Sequence, residues 1–275
     1  MFMTKNNTYK TIINNDTSNS IPLSDRGLSY GDGFFTTAKV VNETVEHWHF
    51  HKQRLIECQK RLGFPEIDFI ALEASIKQLC LNQKCVVLKI MITRGSGGRG
   101  YGLPEVQNPV QILSVLPFPN NYDALKIKGI SLEVSSIKLG LQPLLAGMKT
   151  LNRLEQVLIK QELSEKSWSE AIVLDLNDNV IETSIANLIC YIDGQWHTPK
   201  LDQAGIKGVY REYLSSKIAL IESQITLDEI KTAHAVFCCN SLMGLVPIKS
   251  IQKTHFDLEL ALILQKDMFV DTKLI

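Results

Sequence analysis

The sequence predicts an α+β fold of two domains with mainly antiparallel strand pairing. Three observations carry this. At 275 residues the chain exceeds one average domain and can bury two cores of moderate size. Short β-branched runs are joined by hairpin turns at Asn42-Glu43-Thr44, Asn177-Asp178-Asn179 and Asp193-Gly194. A stretch of prolines and turn-forming asparagines, Pro117-Phe118-Pro119-Asn120-Asn121-Tyr122-Asp123, marks a linker. The boundaries follow as 1–117, a linker over 118–124, and 125–275.

From the start, Tyr9–Ile13 reads as a short strand. Phe34–Val41 follows a glycine-rich turn, and Val45–His49 completes a hairpin with it. From Phe50 the pattern turns helical, with Leu55, Cys58 and Leu62 three and four apart, and Ile67–Leu81 repeats that signature after Pro65. Val86–Thr93 and Val110–Leu116 are β-branched runs expected as buried strands. Beyond the linker come a strand at Ile130–Val134 and a helix at Asn152–Leu163 with Leu154, Val157, Leu158 and Leu163 inward. Strands follow at Ala171–Leu176, Val180–Glu182, Leu188–Ile192 and Gln195–Thr198. A helix at Val209–Ile221, a buried strand at Ala235–Cys239 and a helix at Asp257–Phe269 close the chain.

Lysine plus arginine balance aspartate plus glutamate, 29 against 29, which argues against a nucleic-acid surface or an anionic membrane partner. No apolar run reaches the roughly 18 residues of a membrane span. The opening MFMTKNNTYK lacks the apolar stretch of a secretory signal, so a cytoplasmic protein is expected. The six cysteines form no CxxC pair and read as reduced, mostly buried thiols.

Several segments could carry chemistry. Lys149, in Ala146-Gly147-Met148-Lys149-Thr150, sits among small and apolar residues before a helix, where desolvation would free its amine for Schiff-base chemistry. Taken alone, it reads as an exposed lysine. Glu182 ends a strand, where a carboxylate could keep a pyridine nitrogen protonated. Gln203-Ala204-Gly205-Ile206-Lys207-Gly208 leads into a helix whose first amides, near Val209 and Tyr210, would face an anion. The run from Arg94 to Gly102 lacks GxxxxGK[ST] and reads either as an exposed turn or as a mobile loop presenting arginine to a carboxylate. His47, His49 and His51 alternate, as residues on one face of a strand would, and no metal site is expected.

Together these pieces are more specific than singly. The order Ser24-Asp25-Arg26-Gly27, Tyr30-Gly31-Asp32-Gly33-Phe34-Phe35-Thr36-Thr37, then Arg54, Arg94–Tyr101, Lys149, Glu182 and Gly205–Val209 resembles the fold-type IV pyridoxal phosphate enzymes. That family includes branched-chain and D-amino acid aminotransferases and aminodeoxychorismate lyases. The run Leu145-Ala146-Gly147-Met148-Lys149-Thr150-Leu151-Asn152-Arg153-Leu154-Glu155-Gln156 and the segment Leu201-Asp202-Gln203-Ala204-Gly205 look most like the lyase branch, which serves folate and 4-aminobenzoate synthesis.

The resemblance implies a smaller N-terminal α/β domain, a larger C-terminal domain and a homodimer. It makes Lys149 the Schiff-base lysine of pyridoxal 5′-phosphate and Glu182 the partner of the pyridine nitrogen. Arg54, the amides of Val209 and Tyr210, and Ser241 would hold the phosphate. Where D-amino acid aminotransferases bind a carboxylate with Tyr, Arg and His, this chain has Phe35, Arg99 and Tyr101, which weakens the aminotransferase reading; Arg94 is the alternative arginine. The expected reaction is elimination of pyruvate from 4-amino-4-deoxychorismate to leave 4-aminobenzoate. Lys149 would serve as acid and base and Thr37, rather than Thr36, would face the cofactor by strand alternation. The competing readings are an aminotransferase for D-amino or branched-chain amino acids and a non-catalytic protein that binds pyridoxal phosphate.

Overall fold

The computed structural model describes residues 10–14 and 20–270. Residues 1–9, which include Tyr9 of the expected first strand and most of the segment read for a leader, lie outside the described residues.

The chain divides into two compact units. The first runs through Phe118 and takes back Thr150–Asn152; the second holds Pro119–Lys149 and the chain from Arg153 onward. In the first unit lie β1 (Lys10–Ile13), α1 (Arg26–Tyr30), β2 (Gly33–Val41), β3 (Thr44–Val45), α2 (Trp48–Arg61), α3 (Phe69–Cys80), β4 (Cys85–Thr93) and β5 (Val110–Pro117). Among the described residues its strands form one five-stranded sheet in the order β1-β5-β4-β2-β3, antiparallel at every pairing. β2 shows why the sequence pattern worked: Phe34, Thr36, Ala38 and Val40 are buried, while Phe35, Thr37, Lys39 and Val41 lie on the half-open face. Helix α2 covers β2 with Leu55 and Cys58, and α3 covers β1 and β5 with Leu72, Ile76 and Leu79.

The second unit contains α4 (Tyr122–Lys128), β6 (Ile130–Val134), α5 (Leu154–Glu165), β7 (Ala171–Leu174), β8 (Val180–Thr183), β9 (Asn187–Ile192), β10 (Gln195–Pro199), α6 (Val209–Ser215), β11 (Leu220–Ser223), α7 (Leu227–Thr232), β12 (Ala235–Asn240), β13 (Gly244–Ile251), β14 (Thr254–His255) and α8 (Leu258–Val270). Its sheet, nine-stranded among the described residues, follows the order β11-β10-β9-β12-β13-β6-β7-β8, with β14 on β13. Pairing is antiparallel except at β10–β11, β13–β6 and β6–β7. Buried Leu188, Val236, Val246 and Ile248 fill one side of this sheet, and Ile189, Phe237, Leu245 and Ala261 the other.

Four expectations need correction. Val45–His49 is not a strand: β3 ends at Val45, His47 takes a left-handed conformation (φ 56°) and α2 starts at Trp48. Period-two histidines on a helix cannot share a face, so His51 is buried while His49 is exposed. The expected linker over 118–124 is partly helical, because α4 has Asp123 in its first turn, Lys126 and Lys128 in its last and Gly129 as its C-cap. On α5, Leu154, Val157 and Leu158 are 77%, 59% and 51% exposed; the inward face is Ile159, Glu162 and Leu163. The helix from Val209 stops at Ser215, and Leu220–Ser223 instead extends the sheet beside β10.

Candidate active site

Within the second unit three distant segments meet at one turn. Gly147 donates its N–H to the Gly205 carbonyl (2.9 Å) and accepts from Lys207 N–H (3.0 Å), which binds the stretch before Lys149 alongside Ile206. Ile206 N–H donates to Glu182 Oε2 (3.0 Å), and the Ile206 carbonyl accepts from Asn187 Nδ2 (2.8 Å). The turn at 205–207 therefore ties the Lys149 segment to β8 and β9 through bonds of its own backbone. Gly205 needs its left-handed φ of 81°, and a Cβ there would meet Ile181 Cγ2 at 2.5 Å. A Cβ on Gly208 would collide with Asn187 Oδ1.

Glu182 is buried, and burial pushes its carboxyl up to about 7 against the lowering effects of the Ile206 N–H and the charges of Lys149 and Arg153. A carboxyl of that affinity can hold or share a proton near neutrality. Burial likewise lowers the Arg153 guanidinium from its ordinary value, against the pull of Glu182 and Glu155. Ser184, two residues beyond Glu182, has a buried Oγ with no hydrogen-bond partner among the described residues. Its N–H donates to Glu170 Oε1 (3.0 Å), so the buried Glu170 carboxylate anchors the chain just past Glu182. Lys149 is half-buried, between buried Met148 and Thr150.

Val209 and Tyr210 open α6 behind Gly208, as expected, with their amides in the helix's first turn. The buried Arg211 fastens this helix to the neighbouring strands through Thr198 Oγ1 (3.3 Å) and Glu222 Oε1 (2.7 Å). Ser241 lies half-buried in the turn between β12 and β13, which Asn240 Oδ1 braces by accepting from Leu242 and Met243 N–H, each at 2.9 Å. Asn187, Ser184 and Glu170 carry no motif of their own; only their place around Glu182 distinguishes them.

The remaining expected residues belong to the first unit. Arg54 is half-buried on α2. Thr36 Oγ1 is committed to buried His51 Nδ1 (2.6 Å), whereas Phe35 and Thr37 occupy the open face of β2, with Lys89 Nζ 5.3 Å from the Phe35 ring centroid. Arg94 is held by the fold. It is buried, its Nε pairs with Asp32 (2.8 Å), its Nη atoms donate to Leu62 O, Gly63 O and Gln107 Oε1, and it lies 4.0 Å over the Phe64 ring. Its donors are spent on structure. Arg99 and Tyr101 are exposed on the glycine loop. Among the described residues no cluster of three His, Cys, Asp or Glu side chains is placed to hold a metal ion, and no helix is long and apolar enough to cross a membrane.

Residues 33–251 match the family model of amino-transferase class IV. The chain belongs to that family. This class IV chain is 39% identical over 236 residues to an aminodeoxychorismate lyase of Vibrio harveyi, covering 84% of this chain and 87% of the relative. It is 26% identical to a putative branched-chain-amino-acid aminotransferase of Methanocaldococcus jannaschii, over 84% and 82% of the two chains. Among solved structures, 4-amino-4-deoxychorismate lyase of Pseudomonas aeruginosa superimposes with a TM-score of 0.87 at 33% identity, over 95% of this class IV chain and 99% of that one. The fold-type IV architecture is therefore the observed one.

Proposed function

We propose that this protein is a pyridoxal phosphate-dependent lyase that converts 4-amino-4-deoxychorismate to 4-aminobenzoate and pyruvate. The observation that selects lyase over aminotransferase is the 39% identity to the Vibrio harveyi lyase across 84% of the chain. The cofactor fits the residues present: a lysine beside a buried carboxyl raised to about 7, a buried serine hydroxyl left without a partner, and a glycine turn in which a Cβ at 205 would come 3.5 Å from Glu182 Oε2.

Lys149 would hold the cofactor covalently, and Glu182 would hold the ring nitrogen's proton. Val209 and Tyr210 amides, Ser241 and Arg54 are the proposed phosphate ligands. When bound, the protonated pyridine ring supplies an electron sink that acidifies the carbon bearing the substrate's amino group. The Lys149 amine would take the C4 proton and return one to the departing enolpyruvyl oxygen. Thr37, on the half-open face of β2, is the proposed hydroxyl assisting that transfer. Arg99 is the proposed partner of a substrate carboxylate, with Phe35 and Tyr101 at the positions where an amino-acid trap would have its polar pair. A homodimer is the proposed assembly, and the exposed apolar stripe of Leu154, Val157 and Leu158, spaced i, i+3, i+4, supports it.

The test is a product assay on purified protein loaded with pyridoxal phosphate. 4-Aminobenzoate and pyruvate are expected from aminodeoxychorismate, and none from Lys149→Ala. Appearance of only 2-oxoglutarate-dependent amino-acid deamination would replace the lyase with an aminotransferase. Absence of a visible Schiff-base band after adding the cofactor would leave neither.

A further inference from the structure

The Gly97–Gly102 loop is wound around one guanidinium. Arg26, 4% exposed, donates from Nη1 to the carbonyls of Gly97 (3.3 Å), Gly100 (3.1 Å) and Gly102 (3.0 Å), and from Nη2 to that of Tyr101 (3.3 Å). Its Nε pairs with Asp32 (2.8 Å), which also receives Arg94. Burial alone would raise the Asp32 carboxyl, but the hydrogen bonds and charges of the two arginines outweigh it and hold it below the usual range. Turning so many carbonyls toward one point takes left-handed backbone, supplied by Gly97, Gly98 and Gly100 at φ 117°, 75° and 60°. A Cβ on Gly98 would strike the Gly102 carbonyl and come within 3.2 Å of Arg26 Nη1.

This geometry is the reverse of a phosphate cradle, in which amides converge on an anion. Here carbonyls converge on a cation, and the side chains left exposed are Arg99 and Tyr101. Aromatic contacts add to it: the guanidinium lies 5.0 Å from the Tyr30 ring centroid, and that ring packs, tilted, 5.3 Å from the Tyr101 ring.

We propose that Arg26 is a positioning residue for substrate recognition, setting the conformation of the Gly97–Gly102 loop and so the placement of Arg99 and Tyr101 for a substrate carboxylate. This rests on the reading above that those two side chains meet the substrate. Lysine cannot replace Arg26, because a point charge does not reproduce a planar fork shared among four carbonyls.

The experiment compares Arg26→Lys with the wild type as holoenzyme, by amide hydrogen exchange across 97–102 and by steady-state kinetics with aminodeoxychorismate. Loop exchange is expected to accelerate at least about tenfold and KM to rise at least about fivefold, with kcat and the cofactor's visible absorbance within about twofold. Gly98→Ala breaks the wrap from the loop side while keeping the buried ion pair, so the same signature is expected there even if Arg26→Lys fails to fold. Arg99→Ala is measured alongside and should raise KM less in the Arg26→Lys background than in wild type. Unchanged loop exchange in the variants overturns the proposal, as does faster exchange with an unchanged KM where Arg99→Ala alone raises it. If Arg99→Ala leaves KM unchanged, or no lyase turnover is found, the substrate reading fails instead. The exchange data then decide by themselves whether Arg26 holds the loop.

Discussion

Gly208→Ala tests the wiring of the site at one atom. Gly208 has φ −71° and ψ 141°, a conformation any residue adopts, so alanine meets no backbone penalty. The cost is steric, because the new Cβ would overlap Asn187 Oδ1. Asn187 is 4% exposed and can yield only by rotating, which breaks its 2.8 Å bond to the Ile206 carbonyl and leaves two buried polar groups unpaired. At about 1–3 kcal/mol for each such group, partly relieved by relaxation, the expected loss is about 2–4 kcal/mol. For a chain of this size that is a fall in melting temperature of roughly 5–12 °C. The turn would also shift the Ile206 N–H away from Glu182, so pyridoxal phosphate affinity should drop with stability. The assay is a double-mutant cycle with Asn187→Ala, read by thermal melts and cofactor titration. Asn187→Ala alone should cost about 1–2 kcal/mol, and Gly208→Ala should add little on top, because the colliding oxygen is gone. Additivity within about 0.5 kcal/mol would refute the collision.

Three further outcomes are expected. Glu162, buried on α5, accepts from Ser135 Oγ, Ser136 Oγ, Ser136 N–H and Lys166 Nζ, and these donors overcome burial to hold its carboxyl at about 2 against 4.5. Its stabilisation, at most about 3 kcal/mol, is present above pH 4.5 and lost as pH falls toward 2. Glu162→Gln should therefore melt lower than wild type at pH 7, with the gap narrowed by more than half near pH 3, whereas a constant gap would contradict the linkage. For Glu182 the sign is opposite: a carboxyl raised by burial makes the folded cofactor-free protein gain stability as pH falls from 8 through 7 toward 4.5, and Glu182→Gln should abolish that gain in melts of the apoprotein. Thr36→Val should cost about 1–3 kcal/mol by stripping His51 Nδ1 of its partner, while leaving turnover near normal in the surviving fold. Thr37→Val should do the reverse, and a matching pair of phenotypes would remove Thr37 from the reaction.

How much of this was legible depends on which forces a segment's neighbours supply. β2, β4 and β5 were readable because strand-length, β-branched runs bounded by turns are a local property. The hairpin at Asn177–Asn179 was too, since Asp178 takes the left-handed φ of 66° and Asp175 Oδ1 accepts from the N–H of 177 and 179. His47 to His51 misled because alternation is not unique to strands: a left-handed residue and a helix start produce the same letters. β13 lay outside the expected elements because Pro247 sits in mid-strand, opposite Phe237, where a missing N–H argues against a central strand. On α5 the apolar letters pointed the wrong way round. Leu154, Val157 and Leu158 face out, while Glu162 faces in because two serines and a lysine satisfy it.

By itself the sequence determined the α+β class, the strands set by local pattern and, through the ordered motifs, the family, and it singled out Lys149, Glu182 and Gly205–Val209 as candidates. Only the tertiary structure decided what those residues are worth. A lysine and a glutamate 33 positions apart come to feel each other's charge because hydrogen bonds of Gly147, Ile206 and Asn187 tie the Lys149 segment to the 205–207 turn and that turn to β8 and β9. Glu182 acquires its proton affinity from burial, a property of the packed unit that its neighbours in sequence do not carry. The same holds for the two arginines near the glycine loop. Arg94 and Arg26 are indistinguishable from solvated side chains until the fold surrounds them with Asp32 and a ring of carbonyls, because desolvation and convergent dipoles exist only once the chain has closed around them.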